Sequence, residues 1–381
     1  GSAGRRMPLC IGLMSGTSLD GVDGVLADFE PRALRPTKVR AHIHVDLPPA
    51  LAQELLALNQ PGDNELHRAA LAAHALMAVY AEVVADLLAK AGCRPGEVLA
   101  VGAHGQTVRH RPQLPGGQGY TLQLANGALL AERCGITTVC DFRSADVAAG
   151  GQGAPLVPAF HAACFGQAGT SAAVLNVGGI ANLTLLPASG EVGGFDTGPG
   201  NLLMDLWCRR HFGRPYDADG ALAASGRPIQ GLLAAMKADP FFALPPPKST
   251  GRDAFHALWL DQRLHDAGCS AAPPIDVLAT LAELTAVTVA EALRARLPEA
   301  DKLRVCGGGA FNGHLMARWH ALLPGIDLDT TATEGVPPDQ VEALAFAWLA
   351  ACRLAGRTAS LPAVTGARGP RVLGAVHAAP G

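Results

Sequence analysis

No run of Lys or Arg longer than a pair occurs in the 381-residue chain, and the formal net charge at neutral pH is only −3. That balance excludes the broad cationic face with which proteins hold nucleic acid or a membrane surface, while leaving room for a local site for a small anion. The nine cysteines, Cys10, Cys93, Cys134, Cys140, Cys164, Cys208, Cys269, Cys306 and Cys352, contain no C-x-x-C pair and are odd in number. Such a scatter suits a reducing cytoplasm better than a disulfide framework. The apolar run in "RRMPLCIGLM" is too short to span a bilayer and makes a poor secretory signal, so the expected location is cytoplasmic. Gly1–Gly4 reads as a cloning remnant.

Several motifs are also missing. No G-x-x-x-x-G-K-[ST] occurs and no clean G-x-G-x-x-G opens a βαβ unit, which removes the P-loop and dinucleotide-binding readings. No G-x-S-x-G elbow supports a serine hydrolase. His42–His44 ("HIH") and the pair His314 and His320 lack the partners and spacing of a zinc site.

What is present is ample core: 49% of residues are apolar, and 381 residues favour about two domains. The pattern begins with strand, glycine-rich turn and strand ("LCIGLM", then Ser15–Asp23, then "GVLADF"), and "KVRAHIHVDL" supplies another strand. Apolar periodicity predicts helices over Ala50–Asn59 and Asn64–Ala91, a buried strand in "EVLAVGAHGQT", a helix at Gly127–Cys134 and a strand in "GITTVC". "AAGGQGAP" at Ala148–Pro155 interrupts all periodicity and is the expected hinge. The theme then restarts with "SAAVLNVGGIANLTLLP", "EVGGFDTGPGN" and the helix "LLMDLWCRRHF". Helices are expected around Arg227–Lys237, Ala254–Ala267 and Ile275–Leu297. "KLRVC" is a strand into "GGGAFN", followed by helices Gly313–Leu323 and Asp339–Ala355, the last able to pack back across the hinge. The implied division is 7–147 with 356–381, and 148–355.

Four glycine-rich turns follow strands, at Gly16–Asp23, Gly178–Asn182, Gly194–Asn201 and Gly307–Asn312. Backbone without Cβ atoms can approach a phosphate, and turn N–H groups can donate to its oxygens, although any one such turn is more often only a turn. Asp20 and Asp23 could stabilise the first turn through Asx hydrogen bonds or could serve a magnesium ion. A carboxylate at Asp196, between Phe195 and "TGPGN", needs a purpose if buried. His104, Gln106 and Thr107 offer uncharged hydrogen-bonding groups that could equally tie down a loop, and Arg143 offers a planar fork for a carboxylate or phosphate.

Taken in order, "GLMSGTSLDGVD", "HGQTVRH", "ADVAAGGQGAPLVPAFH", "LNVGGIAN", "GFDTGPGN", "PKSTGRD", "CGGGAFN" and "EALAFAWLA" resemble the anhydro-N-acetylmuramic acid kinase family, from Ile11 to about Gly374. The resemblance implies an α/β fold of two ribonuclease H-like domains of actin and hexokinase type, with mixed β-sheets around a central cleft. It implies a kinase that uses ATP and Mg2+ to open 1,6-anhydro-N-acetylmuramic acid with water and phosphorylate it to N-acetylmuramic acid 6-phosphate, in cell-wall recycling. A homodimer with no nucleic-acid or membrane partner is expected on the same ground. Residue by residue, Gly16, Thr17, Ser18, Leu19, Asp20, Gly21, Val22 and Asp23 match the first phosphate turn, and Gly178 and Gly179 match the second. Gly307, Gly308, Gly309 and Asn312 match the loop that receives adenosine. Asp196 matches the general base, while His104, Gln106, Thr107, Arg143 and Glu334 fall in segments on the sugar side. Asp20 and Asp23 are the magnesium candidates, directly or through water. Two other readings share the fold: a nucleotide-switched binding protein without turnover, and a different sugar kinase.

Overall fold

The computed structural model describes residues 7–381; the Gly1–Gly4 segment lies outside them. The chain forms two compact units, one running to Phe165 and resuming at Gln340–Gly381, the other comprising Gly166–Asp339.

In the first unit, β1 (Leu9–Ser15) turns into antiparallel β2 (Gly21–Phe29), which pairs with β3 (Pro36–Asp46). β4 (Ala100–Ala103) lies parallel to β1. A separate two-stranded ribbon follows, β5 (Gln106–Leu114) with β6 (Gly117–Leu124). β7 (Thr138–Cys140) is parallel to β4, and the closing strand Ala375–His377 completes the edge. β1 is apolar on both faces because both faces are covered. On one side, the helix Glu65–Ala91 buries Leu76, Met77, Tyr80, Val83, Val84 and Leu87 at three- and four-residue spacing. By length and composition that helix could cross a bilayer. Here its stripe joins Ile11, Leu13, Val22 and Leu26 in one core.

On the other side lies the helix Val341–Leu354, packed against β1, β2 and β4. The approach is close enough that a Cβ at Gly12 or Gly102 would overlap the carbonyls of Ala343 or Phe346. This contact moves the division of the chain away from the expected 148–355. The helix of the second expected domain belongs to the first unit, and the boundary falls after Phe165 instead of at the Ala148–Pro155 loop. That loop is pinned inside the first unit, with the Gln152 amide donating to the Thr365 carbonyl and the Arg368 amide to the Ala149 carbonyl.

The second unit repeats the plan. β8 (Ala172–Val177), β9 (Ile180–Leu186) and β10 (Gly193–Pro199) form an antiparallel meander, while β11 (Lys302–Cys306) and β12 (Asp327–Thr330) add parallel strands beside β8. With its strands counted in chain order, each principal sheet contains the order 3-2-1-4-5, the first three strands antiparallel and the next two parallel to the first, and the first unit's sheet adds Ala375–His377 as a sixth strand antiparallel to β7. The helix Pro274–Arg296 is buried along most of its length against this sheet. Helix positions agree with the sequence reading to within a few residues. The β5–β6 ribbon, β12 and the closing strand were not anticipated: Pro112 and polar neighbours break the alternation in β5, and the other two strands are only four and three residues long.

Candidate active site

In the first unit, register fixes where the β1–β2 turn begins, with Ser15 opposite Val22 and Met14 opposite Asp23. Leu19 takes a left-handed φ of 59°, and its amide donates to the Gly16 carbonyl at 3.2 Å. The Gln106 side chain donates to the same carbonyl at 3.0 Å. The Gly16 carbonyl dipole is therefore spent inside the unit and is not turned toward a bound anion. The Ser18 hydroxyl donates to Asp20 at 2.9 Å. Ser15 is buried, its hydroxyl engaged with Tyr80 at 2.7 Å and the Gly105 carbonyl at 3.0 Å, so it braces the turn from beneath.

Asp20 and Asp23 differ sharply. Asp20 is exposed on the turn, an oxygen donor suited to a hard cation that keeps much of its water. Asp23 lies within β2, its carboxylate 3.1 Å from His42 Nε2 and 3.0 Å from His44 Nδ1. Burial pushes its pKa up, but hydrogen bonds from both histidines more than offset this and hold it below the usual value. The Asp23 hydrogen bond raises His44 to about 9 against partial burial, with Asp46 adding to it. Among the described residues no group of three or more His, Cys, Asp or Glu could hold a metal. Asp20, with waters and phosphate oxygens, would suit a magnesium ion, while the Asp23 carboxylate is engaged by both His42 and His44.

The loop after β4 carries the next set. His104 is buried, and its Nδ1 lies 2.7 Å from the Gly105 carbonyl, which fixes that nitrogen as the donor. Nε2 then accepts from Arg143, at 3.0 Å from Nη2 and 3.3 Å from Nε. Burial first, and the Arg143 charge second, push His104 down to about 3, so the ring is neutral. Arg143 Nη1 also donates to the Gly153 carbonyl at 3.0 Å. Thr107 accepts from the Gln123 amide at 3.3 Å. His104, Gln106 and Arg143 thus form a framework continuous with the first glycine turn. His104 and Gln106 brace their neighbours, whereas Arg143 carries the charge.

In the second unit, a polar row crosses four strands at one register: Asp196 of β10, Asn182 of β9, Asn176 of β8 and Cys306 of β11. Asp196 is 5% exposed and sits where a bulge shifts the β9–β10 pairing. Its Oδ2 accepts from the Thr250 amide at 2.9 Å, and its own amide donates to the Lys248 carbonyl at 3.2 Å. The "PKSTGRD" segment therefore aims the carboxylate. Lys248 is itself buried, with Nζ 4.6 Å above the Phe241 ring and 3.3 Å from the Phe241 carbonyl. Burial, the largest influence, lowers its pKa against the opposing charge of Asp196.

The β8–β9 turn repeats the device of the first unit. Gly178 accepts from the Asn201 amide at 2.8 Å, and Gly179 from the Gly200 and Leu202 amides at 2.8 and 3.2 Å. Thr285 supports that third turn, its hydroxyl within reach of the Pro199 and Gly200 carbonyls at 3.0 and 2.9 Å. Gly307 ends β11 with a φ of 79°, and a Cβ there would lie 2.6 Å from the Val177 carbonyl. The parallel strands thus bring Gly178 and Gly179 beside Gly307, Gly308 and Gly309, at the carboxyl ends where α/β sheets bind ligands. Asn312 caps the following helix by accepting from the Leu315 amide at 2.9 Å. Glu334 Oε1 accepts from Lys302 at 3.0 Å and Arg304 at 3.1 Å. The Lys302 hydrogen bond, outweighing burial, holds its carboxyl below the usual range.

Tyr80, Thr250 and Thr285, which brace or aim parts of the site, escaped the motif reading. Tyr80 and Thr285 sit at apolar-face positions of helices, where sequence gives no sign that a hydroxyl serves a turn far along the chain. Thr250 acts through its backbone.

Two ribonuclease H-like units, each closing its first hairpin with a glycine turn tied inward, define a class: the actin-like and hexokinase-like ATPase fold. A family model described as anhydro-N-acetylmuramic acid kinase matches residues 8–379. Proteins of that name from Albidiferax ferrireducens (56% identical, 97% of this chain and 99% of that protein) and Bordetella petrii (57%, 97% and 96%) are among its relatives. Another, from Xanthomonas campestris pv. campestris, is 50% identical over 98% of each chain. The chain belongs to the anhydro-N-acetylmuramic acid kinase family; it is a sugar kinase. Solved structures that it resembles include a ROK family glucokinase from Streptomyces griseus in complex with glucose and AMPPNP (13% identity, TM-score 0.40, 90% of this chain and 99% of that one). Component A of the (R)-2-hydroxyglutaryl-CoA dehydratase of Acidaminococcus fermentans also resembles it (12%, TM-score 0.47, 91% and 99%).

Proposed function

We propose that this kinase opens the 1,6-anhydro ring of 1,6-anhydro-N-acetylmuramic acid with water and transfers the γ-phosphoryl group of ATP to the freed 6-oxygen, giving N-acetylmuramic acid 6-phosphate for peptidoglycan recycling. The observation that carries the reading is the buried Asp196 carboxylate. It is oriented by the Thr250 amide and stands two strand spacings, about 10 Å, from the β8 strand that ends in the second glycine turn. A sugar ring fits between a base and a phosphate turn so separated.

Asp196 removes a proton from the water as its oxygen bonds to the anomeric carbon. The C1–O6 bond breaks, O6 attacks the γ-phosphorus, and the bond to the β-phosphate oxygen breaks to release ADP. The proton left on Asp196 returns to solvent. Ring opening delivers the nucleophile already in place, so no second binding step is needed. The residues at Gly16–Asp23 and Gly178–Gly179 are assigned to the phosphates, and Gly307, Gly308, Gly309 and Asn312 to the adenosine. Arg143, Thr107 and Glu334 are assigned to the sugar; Glu334, kept ionised by Lys302 and Arg304, would act only as an acceptor. Mg2+ held at Asp20 would supply charge neutralisation on the β- and γ-phosphate oxygens. A cytoplasmic homodimer acting on a small molecule completes the reading.

Incubation with ATP, Mg2+ and the anhydro sugar should yield a 6-phosphorylated reducing sugar by mass spectrometry. Folded protein that makes none above a no-enzyme control would rule the reading out. Plain N-acetylmuramic acid, used as well as the anhydro form, would point to a different sugar kinase.

A further inference from the structure

Arg143 recognises an anionic or polyhydroxy substrate best when its long side chain is held in one pose, because a free arginine loses rotamer entropy when it is fixed on binding. The guanidinium is held on two sides, by neutral His104 and by the Gly153 carbonyl. Gly153 is in turn fixed by Asp146, whose Oδ2 accepts its amide at 2.8 Å. Asp146 Oδ1 accepts the Thr365 hydroxyl at 2.7 Å. Asp146 is completely buried, and among the described residues no Lys, Arg or His forms an ion pair with it. A buried carboxylate served only by neutral donors is a costly way to hold a loop. Its carboxyl group, two hydrogen bonds from Arg143 through Gly153, indicates a more specific task.

We infer that Asp146 is a positioning residue for substrate binding: through Gly153 it fixes the carbonyl that holds Arg143, and Thr365 locks the C-terminal segment into the same bracket. This rests on the assignment of Arg143 to the sugar.

The test is a double-mutant cycle read as KM for the anhydro sugar, with KM for ATP and thermal unfolding measured alongside. Asp146→Ala should raise the sugar KM about tenfold and Thr365→Val about threefold, with KM for ATP unchanged. In an Arg143→Ala background neither should add anything, since the group they position is gone. Should Asp146→Ala fail to fold, Thr365→Val, which removes one hydroxyl and keeps the shape, carries the same cycle. Equal effects with and without Arg143, or sugar and ATP KM rising together, would overturn the inference and leave Arg143 in place. An Arg143→Ala single variant with unchanged sugar KM would instead remove the assignment on which it stands.

Discussion

Tyr80→Phe tests how the first glycine turn is supported. The Gly105 amide donates to the Tyr80 oxygen at 3.0 Å, Tyr80 and Ser15 share a hydrogen bond of 2.7 Å, and Ser15 Oγ reaches the Gly105 carbonyl at 3.0 Å. Because Ser15 gives its one proton to that carbonyl, Tyr80 must give its own to Ser15, and the three groups close a ring. Burial pushes the Tyr80 phenol pKa up, so the ring keeps its protons throughout the accessible pH range. Replacing the hydroxyl with hydrogen leaves the buried Gly105 amide without its acceptor, at a cost of about 1–3 kcal/mol. Native-state hydrogen exchange at Gly105 should then quicken by about 5- to 150-fold, and KM for ATP should rise as the turn loses its brace. Exchange at Gly105 within twofold of the wild type would refute the ring.

Asp196→Asn should abolish both ring opening and phosphorylation while ATP still binds by calorimetry; ring hydrolysis that survives would separate the two steps and refute a shared base. Gly12→Ala or Gly102→Ala should destabilise the first unit by at least the upper part of the range of about 1–3 kcal/mol for overpacking, because backbone stands on both sides of the contact; an unchanged denaturation midpoint would contradict that packing. His44 is raised from 6.5 to about 9, so its stabilising contribution is fully present below pH 6.5 and is lost as pH rises through about 9. His44→Gln should flatten the fall in Tm across that window, and an identical slope in the variant would show that the pair contributes nothing.

Much of this was legible in the chain. Strand, glycine turn, strand is a local pattern, and both copies of it appear where the periodicity of "LCIGLM" and "SAAVLNV" puts them. The cluster of glycine turns at the ends of β8 and β11 was legible too, since parallel strands bring their carboxyl ends to one edge. The ownership of the helix Val341–Leu354 was not. An apolar face says that a helix is covered without saying by what, and the deciding feature is the pair Gly12 and Gly102, more than two hundred residues earlier. The partners of Asp23 were hidden for a related reason. In sequence it closes an acidic turn, whereas β-pairing sets it opposite His44, where its partly exposed carboxylate meets both His42 and His44. The roles of Tyr80 and Thr285 depend on side chains reaching backbone far along the chain, and no spacing rule reports that.

The return of the chain to the first unit at Gln340 has a consequence for biosynthesis. Residues 166–339 are one continuous insertion, complete as soon as they are made. The first unit, although begun earlier, leaves the side of β1 and β4 marked by Gly12 and Gly102 uncovered until Val341–Leu354 has emerged from the ribosome. N-terminal domains ordinarily finish first during synthesis. Here the inserted unit can finish while the outer one waits, so a chain stopped between Asp339 and Leu354 would carry a complete second unit and, in the first, an apolar sheet face still open.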